Sequence, residues 1–346
     1  MYQKQIPAIN QSLARTGKAV VALGCSFVQG QGAVDTDMYD DYNWEFVQLG
    51  TPLQLRVNPQ EVAEILARYK DLVSVKPDGE LDFVMMEYKN AFVNVLCEKY
   101  FEGAYTPINL GRRGNGNRAT IKDLYFYPEI DWHLAKEIVV VYCPSGMERF
   151  DFVNDEFSDH FHWTCIWPHP DKKAKGVKRV LWQGYLDYLY SEKFEVLENI
   201  AHVQELVTWC RLHDARLIIT PSFDKRYDRS HMQSVLSQNI DRNSDSSMVH
   251  PPYFKEGSPA HEQAQKWLDL WPWENMYCPE GYQTWVELVV AQEKLPPERV
   301  NHFFEFLGKG SPDGWITSCA HPSAKGHDLF AQYLHRYITT GESSCQ

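Results

Sequence analysis

A chain of 346 residues with 44% hydrophobic and 23% charged side chains carries enough apolar matter for a sizeable core, which excludes a mostly disordered tail. Its 46 acidic against 34 basic residues leave a net charge of −12, which disfavours a general nucleic-acid binder. No run approaches the roughly 18 apolar residues of a membrane span, and the opening Met1 to Ile6 lacks the apolar stretch of a secretory leader, so no membrane partner is expected.

Lys18 to Leu23 is an apolar run ended by Gly24, the pattern of a buried strand. Helical spacing follows over Pro59–Tyr69 and, as one long helix, over Leu81–Tyr100. Tyr105–Leu110 reads as a second strand, the region from Arg118 to Tyr127 as a helix, and Glu137–Cys143, closed by Pro144, as a third strand. Arg149–Arg179 reads as loop, Tyr185–His213 as a long helix and Arg216–Thr220 as a fourth strand. Beyond it the pattern loosens, with helices at Ala260–Leu270 and Tyr282–Glu293, until an amphipathic helix over Ser323–Thr339 carries Leu329, Phe330, Tyr333, Leu334 and Tyr337. Strands alternating with helices call for parallel pairing through helical crossovers, hence a doubly wound α/β sheet. One domain over 1–346 is expected, with insertions at about 35–80, 151–180 and 222–312.

In such a sheet, ligands bind beyond the carboxyl ends of the strands. Three motifs fall there: Gly24-Cys25-Ser26-Phe27-Val28-Gln29-Gly30, Asn109-Leu110-Gly111-Arg112-Arg113-Gly114 and Cys143-Pro144-Ser145-Gly146; a fourth, Ala320-His321-Pro322-Ser323-Ala324-Lys325-Gly326-His327, precedes the final helix. A serine on a Gly-flanked turn past a buried strand presents a hydroxyl and a free N–H, and a histidine ahead of a helix can serve as its base.

These motifs resemble the blocks of the SGNH, or GDSL-type, hydrolase superfamily, of which the chain looks like a divergent member. The resemblance implies a three-layer αβα, flavodoxin-like fold with a central parallel sheet and large insertions. It makes Ser26 the nucleophile and His321 the base, and it places the oxyanion hole on Ser26, Gly114 and Ser145, the last standing in for the family's asparagine. No cofactor or metal is implied. Three blocks depart from the pattern: Cys25 replaces an aspartate, Ser145 an asparagine, and Ser318 stands three residues before His321 where the family carries the acid that orients the imidazole. The third member is then Ser318 or Asp313, or the pair works as a dyad. The implied function is a serine esterase or O-acyl (O-acetyl) deacylase on a small-molecule or carbohydrate ester. From another class, a catalytically inactive SGNH-fold binding or structural protein, such as a phage particle component, fits the same departures.

Other readings of the same residues stand beside these. The Ser26 turn fits a phosphate loop without its G-K-[ST], and His321 and His327 fit structural neighbours of a helix start. Cys25, Cys143 and Cys319 with His321 form a conceivable zinc set, although their spacing follows no zinc pattern. Asp159, His160, His162, Cys165 and His169 crowd one insertion, Lys172 to Arg179 form a basic cluster best read as solvated loop, and Trp163, Trp167, Trp271 and Trp273 suit either sugar stacking or packing. Eight scattered cysteines without a C-x-x-C pair suggest free thiols in a reducing compartment, either cytoplasmic or, for a viral chain, virion-associated.

Overall fold

The computed structural model describes residues 2–34, 44–45, 54–55, 58–76, 79–112, 114–147, 149–154, 162–166, 180, 183, 191–237, 257, 259–293, 306, 310–317 and 320–342. At its centre lie four parallel strands: β1 (Lys18–Gly24), β2 (Thr106–Asn109), β3 (Glu137–Cys143) and β4 (Ala215–Ile219). Their spatial order is β2-β1-β3-β4, with Ala22 opposite Asn109 on one side and Gly24 opposite Cys143 on the other. Met276 bridges Ile219 in parallel, so the chain touches the fifth position of a flavodoxin-like order without extending a strand there.

Side chains of a strand alternate between its two faces, and both faces here are apolar. Ala19, Val21 and Leu23 of β1, with Val140 and Tyr142 of β3, meet Ile6, Ile9 and Leu13 of the helix Tyr2–Thr16, Ile121 and Leu124 of Asn117–Phe126, and Val196, Ile200, Val203 and Leu206 of Glu192–Leu212. Val20 and Ala22, with Val139, Val141 and Cys143, meet Phe92, Val93 and Leu96, Trp285 and Val289 of Trp285–Ala291, and Phe330 and Leu334 of Ala324–Thr340. The result is a three-layer αβα arrangement, and each fully buried aliphatic or aromatic chain in it contributes roughly 1.5–3 kcal/mol. The crossover after β1 returns over the second face through Phe92, Val93 and Leu96, whereas the one after β3 runs over the first. The β1/β3 seam is therefore the point where the winding reverses, and it opens a crevice at the carboxyl ends of both strands.

Several expectations need correction. Leu81–Tyr100 is not one helix: Leu81–Asp82 pairs with Ser74–Val75, a helix covers Val84–Asn90, and the chain breaks at Ala91 (ψ 142°) before Phe92–Val95 and a wide turn over Leu96–Tyr100. The break frees the Phe92 N–H for the buried His327 Nδ1 at 3.2 Å, a long-range bond that apolar spacing cannot reveal. Within the expected loop 149–179, Phe150–Asn154 and His162–Ile166 form an antiparallel ladder. The long helix starts at Glu192, capped by the Ser191 hydroxyl, rather than at Tyr185. An N-terminal helix was not expected; its Ile6, Ile9 and Leu13 do carry helical spacing, interrupted by Pro7.

Two glycines set how closely the layers approach the seam. A Cβ on Gly24 would lie 2.9 Å from the Cys143 carbonyl oxygen, and one on Gly111 would lie 2.6 Å from the Gln29 nitrogen and 2.9 Å from the Val28 carbonyl carbon. The second contact is main chain against main chain and has no flexible end that can yield. Gly111→Ala is expected to lower stability by roughly 1–3 kcal/mol, as overpacking does, read from the urea midpoint at unchanged m; a midpoint equal to the parent's would show that the turn accommodates the methyl group.

Candidate active site at the strand seam

Directly after β1, Cys25 precedes the four-residue helix Ser26–Gln29, which is closed by Gly30 in the left-handed region (φ 94°). Ser26 is its first residue, where an N–H has no acceptor within the helix. The turn is held from behind: Asn109 at the end of β2 donates its side-chain N–H to the Val28 carbonyl at 3.1 Å and accepts the Gly111 N–H at 3.0 Å. Arg112 donates its main-chain N–H to the Gly24 carbonyl at 3.1 Å, which ties the following loop to the same corner.

From the other end of the chain, His321 meets this turn. Its Nε2 lies 2.7 Å from Ser26 Oγ, a contact spanning 295 residues of sequence, with the two residues 9% and 7% exposed. Phe27 stacks on the imidazole at 4.3 Å between centroids, and Phe223 packs on Phe27 at 4.9 Å. A neutral imidazole that accepts at Nε2 carries its proton on Nδ1, the tautomer in which Nε2 can take a hydroxyl proton. His327, six residues on, is fully buried between Phe92 and Trp285. Burial, reinforced by the nearby His321, pushes it down to about 3, so it stays neutral across the working range.

The remaining candidates are placed differently. Gly114 sits exposed in a left-handed turn (φ 77°) beside the Arg112 tie. Ser145 is buried in the wall: its N–H donates to Asn117 Oδ1 at 2.8 Å, and its hydroxyl lies 3.3 Å from the same oxygen and 3.4 Å from the Asn115 carbonyl. Both its main-chain N–H and its hydroxyl thus have partners within the protein. Asp313 is exposed, with its N–H on Glu293 Oε2 and its carbonyl accepting from Lys325. The geometry brings Ser26 and His321 together and uses Asp313 through its main chain. Ser318, Cys319, His160, His169, Trp167 and the 172–179 cluster lie outside the described residues, as do the side chains of His162, Trp163 and Cys165.

Cys25 and Cys143 are buried free thiols, and burial, with Cys25 adding to it, raises the Cys143 thiol well above its ordinary range. Trp271 is buried and Trp273 donates its indole N–H to the Leu268 carbonyl at 2.9 Å, so both take part in packing. Among the described residues no group of three or more His, Cys, Asp or Glu is placed to hold a metal, and no helix is long and apolar enough to cross a membrane.

A polar shell that the sequence did not single out supports the loops of the seam. Asn117 joins Asn199 and Tyr227, Asn199 reaches the Met147 carbonyl, and the Met147 N–H donates to Asp224. Asp151 accepts the N–H groups of Gly116 and Ala119 at 2.9 and 3.0 Å, at the start of the Asn117–Phe126 helix. Arg149 holds the Asn115 carbonyl at 2.9 Å and lies over the Phe223 ring.

No family model matches the chain, and no curated protein matches it. A solved structure of a mutant acetyl-xylooligosaccharide esterase from Geobacillus Stearmophilus superposes over 96% of this chain and 97% of its own, at 11% identity and a TM-score of 0.34. A score at that level assigns neither fold nor activity to this chain.

Asp123 lies beneath the Gly114 loop, 3.2 Å from Arg112 Nε and 3.3 Å from the Asn115 amide. Burial pushes its carboxyl up to about 7; Arg112 opposes this, Asp151 adds to it and Asn115 opposes it. A carboxyl raised on folding binds its proton more tightly folded than unfolded, so stability is lost as pH rises from about 4 to about 7. Asp123→Asn should gain on the parent as the pH climbs through that window, measured by urea unfolding at several pH values. A gap between the two proteins that does not vary with pH would contradict this.

Proposed function

We propose that this chain is a serine hydrolase of SGNH type, an esterase or deacylase acting on a small O-acyl group of a carbohydrate or similar polar substrate. The observation that carries the reading is the buried 2.7 Å contact between Ser26 Oγ and His321 Nε2 at the winding reversal of the sheet. Ser26 Oγ attacks the ester carbonyl while His321 Nε2 takes its proton, then returns it to the leaving alcohol as the acyl-serine forms. Water, deprotonated by the same nitrogen, attacks the acyl-serine; the acyl–Oγ bond breaks as His321 returns that proton to Ser26 Oγ, and the acid leaves. The N–H of Ser26, first in its helix, and that of Gly114 are the proposed donors to the oxyanion. The Ser145 hydroxyl, in the place of the family's asparagine side chain, is the proposed third donor. Phe27 against the imidazole shields the pair from water, which strengthens each polar contact in it.

The test is labelling with a fluorophosphonate probe together with turnover of 4-nitrophenyl acetate. Parent protein should label and turn over the ester, and Ser26→Ala should lose both with its melting temperature nearly unchanged. Gly114→Ala keeps the N–H but strains a backbone held at φ 77°, so it is expected to re-aim that donor and lower kcat by roughly tenfold to 10²-fold, with little change in KM. Parent protein that neither labels nor hydrolyses any acyl ester would leave the non-catalytic SGNH-fold binding protein as the reading.

A further inference from the structure

Glu293 follows the helix Trp285–Ala291, which packs Trp285, Val286, Val289 and Val290 into the second face of the sheet. The residue is 5% exposed, and among the described residues its carboxylate meets main chain and a hydroxyl instead of a cation. Oε1 accepts the Trp315 N–H at 2.9 Å and the Ser311 hydroxyl; Oε2 accepts the Asp313 N–H at 2.9 Å. Burying an ionised carboxylate is costly unless such donors surround it, so the same bonds that make the burial tolerable fix the shape of the donor loop.

That loop leads straight to the histidine. Ser311 closes it on Ile316 through both N–H···O=C and N–H···Oγ bonds, each of 2.8 Å. Ile316 then pairs with Pro322, the Trp315 carbonyl accepts the Ser323 N–H at 2.9 Å, and Thr317 donates its N–H and its hydroxyl to the His321 carbonyl at 2.8 and 3.0 Å. Ala320, just before His321, is held at φ +61°, a conformation that a residue with a Cβ adopts only where its surroundings impose it. The imidazole therefore stands on a turn whose outer strand is fastened to Glu293.

We propose that Glu293 is a positioning residue for His321: its buried carboxylate, gripping the Ser311–Trp315 turn, sets the backbone from which the imidazole reaches Ser26. The proposal rests on His321 being the base of the hydrolase. Glu293 touches neither substrate nor the reacting atoms and acts through the turn alone.

Glu293→Gln keeps the shape and leaves one acceptor oxygen where two are used, so it loosens the turn without emptying the site. At a temperature where near-UV circular dichroism shows both proteins folded, the variant should lose about tenfold in kcat on 4-nitrophenyl acetate with KM within twofold, and its pH–rate profile should shift. In parallel, the imidazole ¹⁵N signals of His321, assigned by their loss in His321→Gln, should move in Glu293→Gln. Ser311→Ala, which removes one donor and leaves the carboxylate in place, should show the same changes to a smaller degree and serves as the test if Glu293→Gln does not fold. Unchanged kcat and unchanged His321 signals in an active parent background would overturn the proposal. If the parent turns over no ester, the hydrolase reading falls by itself, and the His321 signals still decide whether Glu293 sets the imidazole.

Discussion

The hydrogen bond between Ser26 and His321 joins two segments 295 residues apart, and the surrounding structure is arranged so that both ends of it arrive fixed. A hydroxyl and an imidazole buried side by side each need a partner, and each supplies the other's. Side-chain bonds of this kind are worth only about 1 kcal/mol net, far too little to draw such distant segments together. The sheet and its two apolar faces must bring them close first, and the bond then selects one arrangement among those the packing allows.

On the serine side, the fixing is done by close main-chain approach. Asn109, at the end of β2, bonds to the turn at Val28 and to Gly111, and Gly111 lets the two main chains come within contact distance. On the histidine side, short-range bonds from the loop 311–317 and aromatic stacking on Phe27 do the same work. The two sides also share a layer, since Phe27 and Trp285 are edge-on neighbours in the apolar cluster that contains Phe92 and Phe330.

Much of this scaffold was legible in the sequence because it is written in local patterns. The runs Lys18–Leu23, Glu137–Cys143 and Arg216–Thr220 declare buried parallel strands by the apolar stretches Ala19–Leu23, Ile138–Cys143 and Leu217–Ile219, and the structure places all three stretches in the central sheet. Ser26 and His321 were legible as positions, since each follows or precedes a recognisable element, and the structure brings them together. Where a feature depends on a partner far along the chain, the sequence was silent. The break at Ala91 answers to His327, the engagement of Ser145 to Asn117, and the main-chain use of Asp313 to Glu293 and Lys325. The Phe150–Asn154 and His162–Ile166 pair was hidden for a related reason: its polar and aromatic residues carry no clean alternation.

Buried carboxylates explain why those distant pairings recur around the seam. Glu87 accepts the Gly32 N–H, Asp151 those of Gly116 and Ala119, Asp224 those of Met147 and Arg226, and Glu293 those of Asp313 and Trp315. Irregular loops at the edge of a sheet leave main-chain N–H groups without strand or helix partners, and a buried carboxylate satisfies one or two of them. In each case the charge is stabilised by the loop and the loop is shaped by the charge. Asp123 differs in its donors: its bonds among the described residues come from the side chains of Arg112 and Asn115, and one of its oxygens has no donor there. Burial pushes its carboxyl up to about 7, and burial raises the Asp224 carboxyl as well. Main-chain donors point at a fixed place and cost no side-chain entropy to order, so a carboxylate that accepts them also fixes the loop that supplies them.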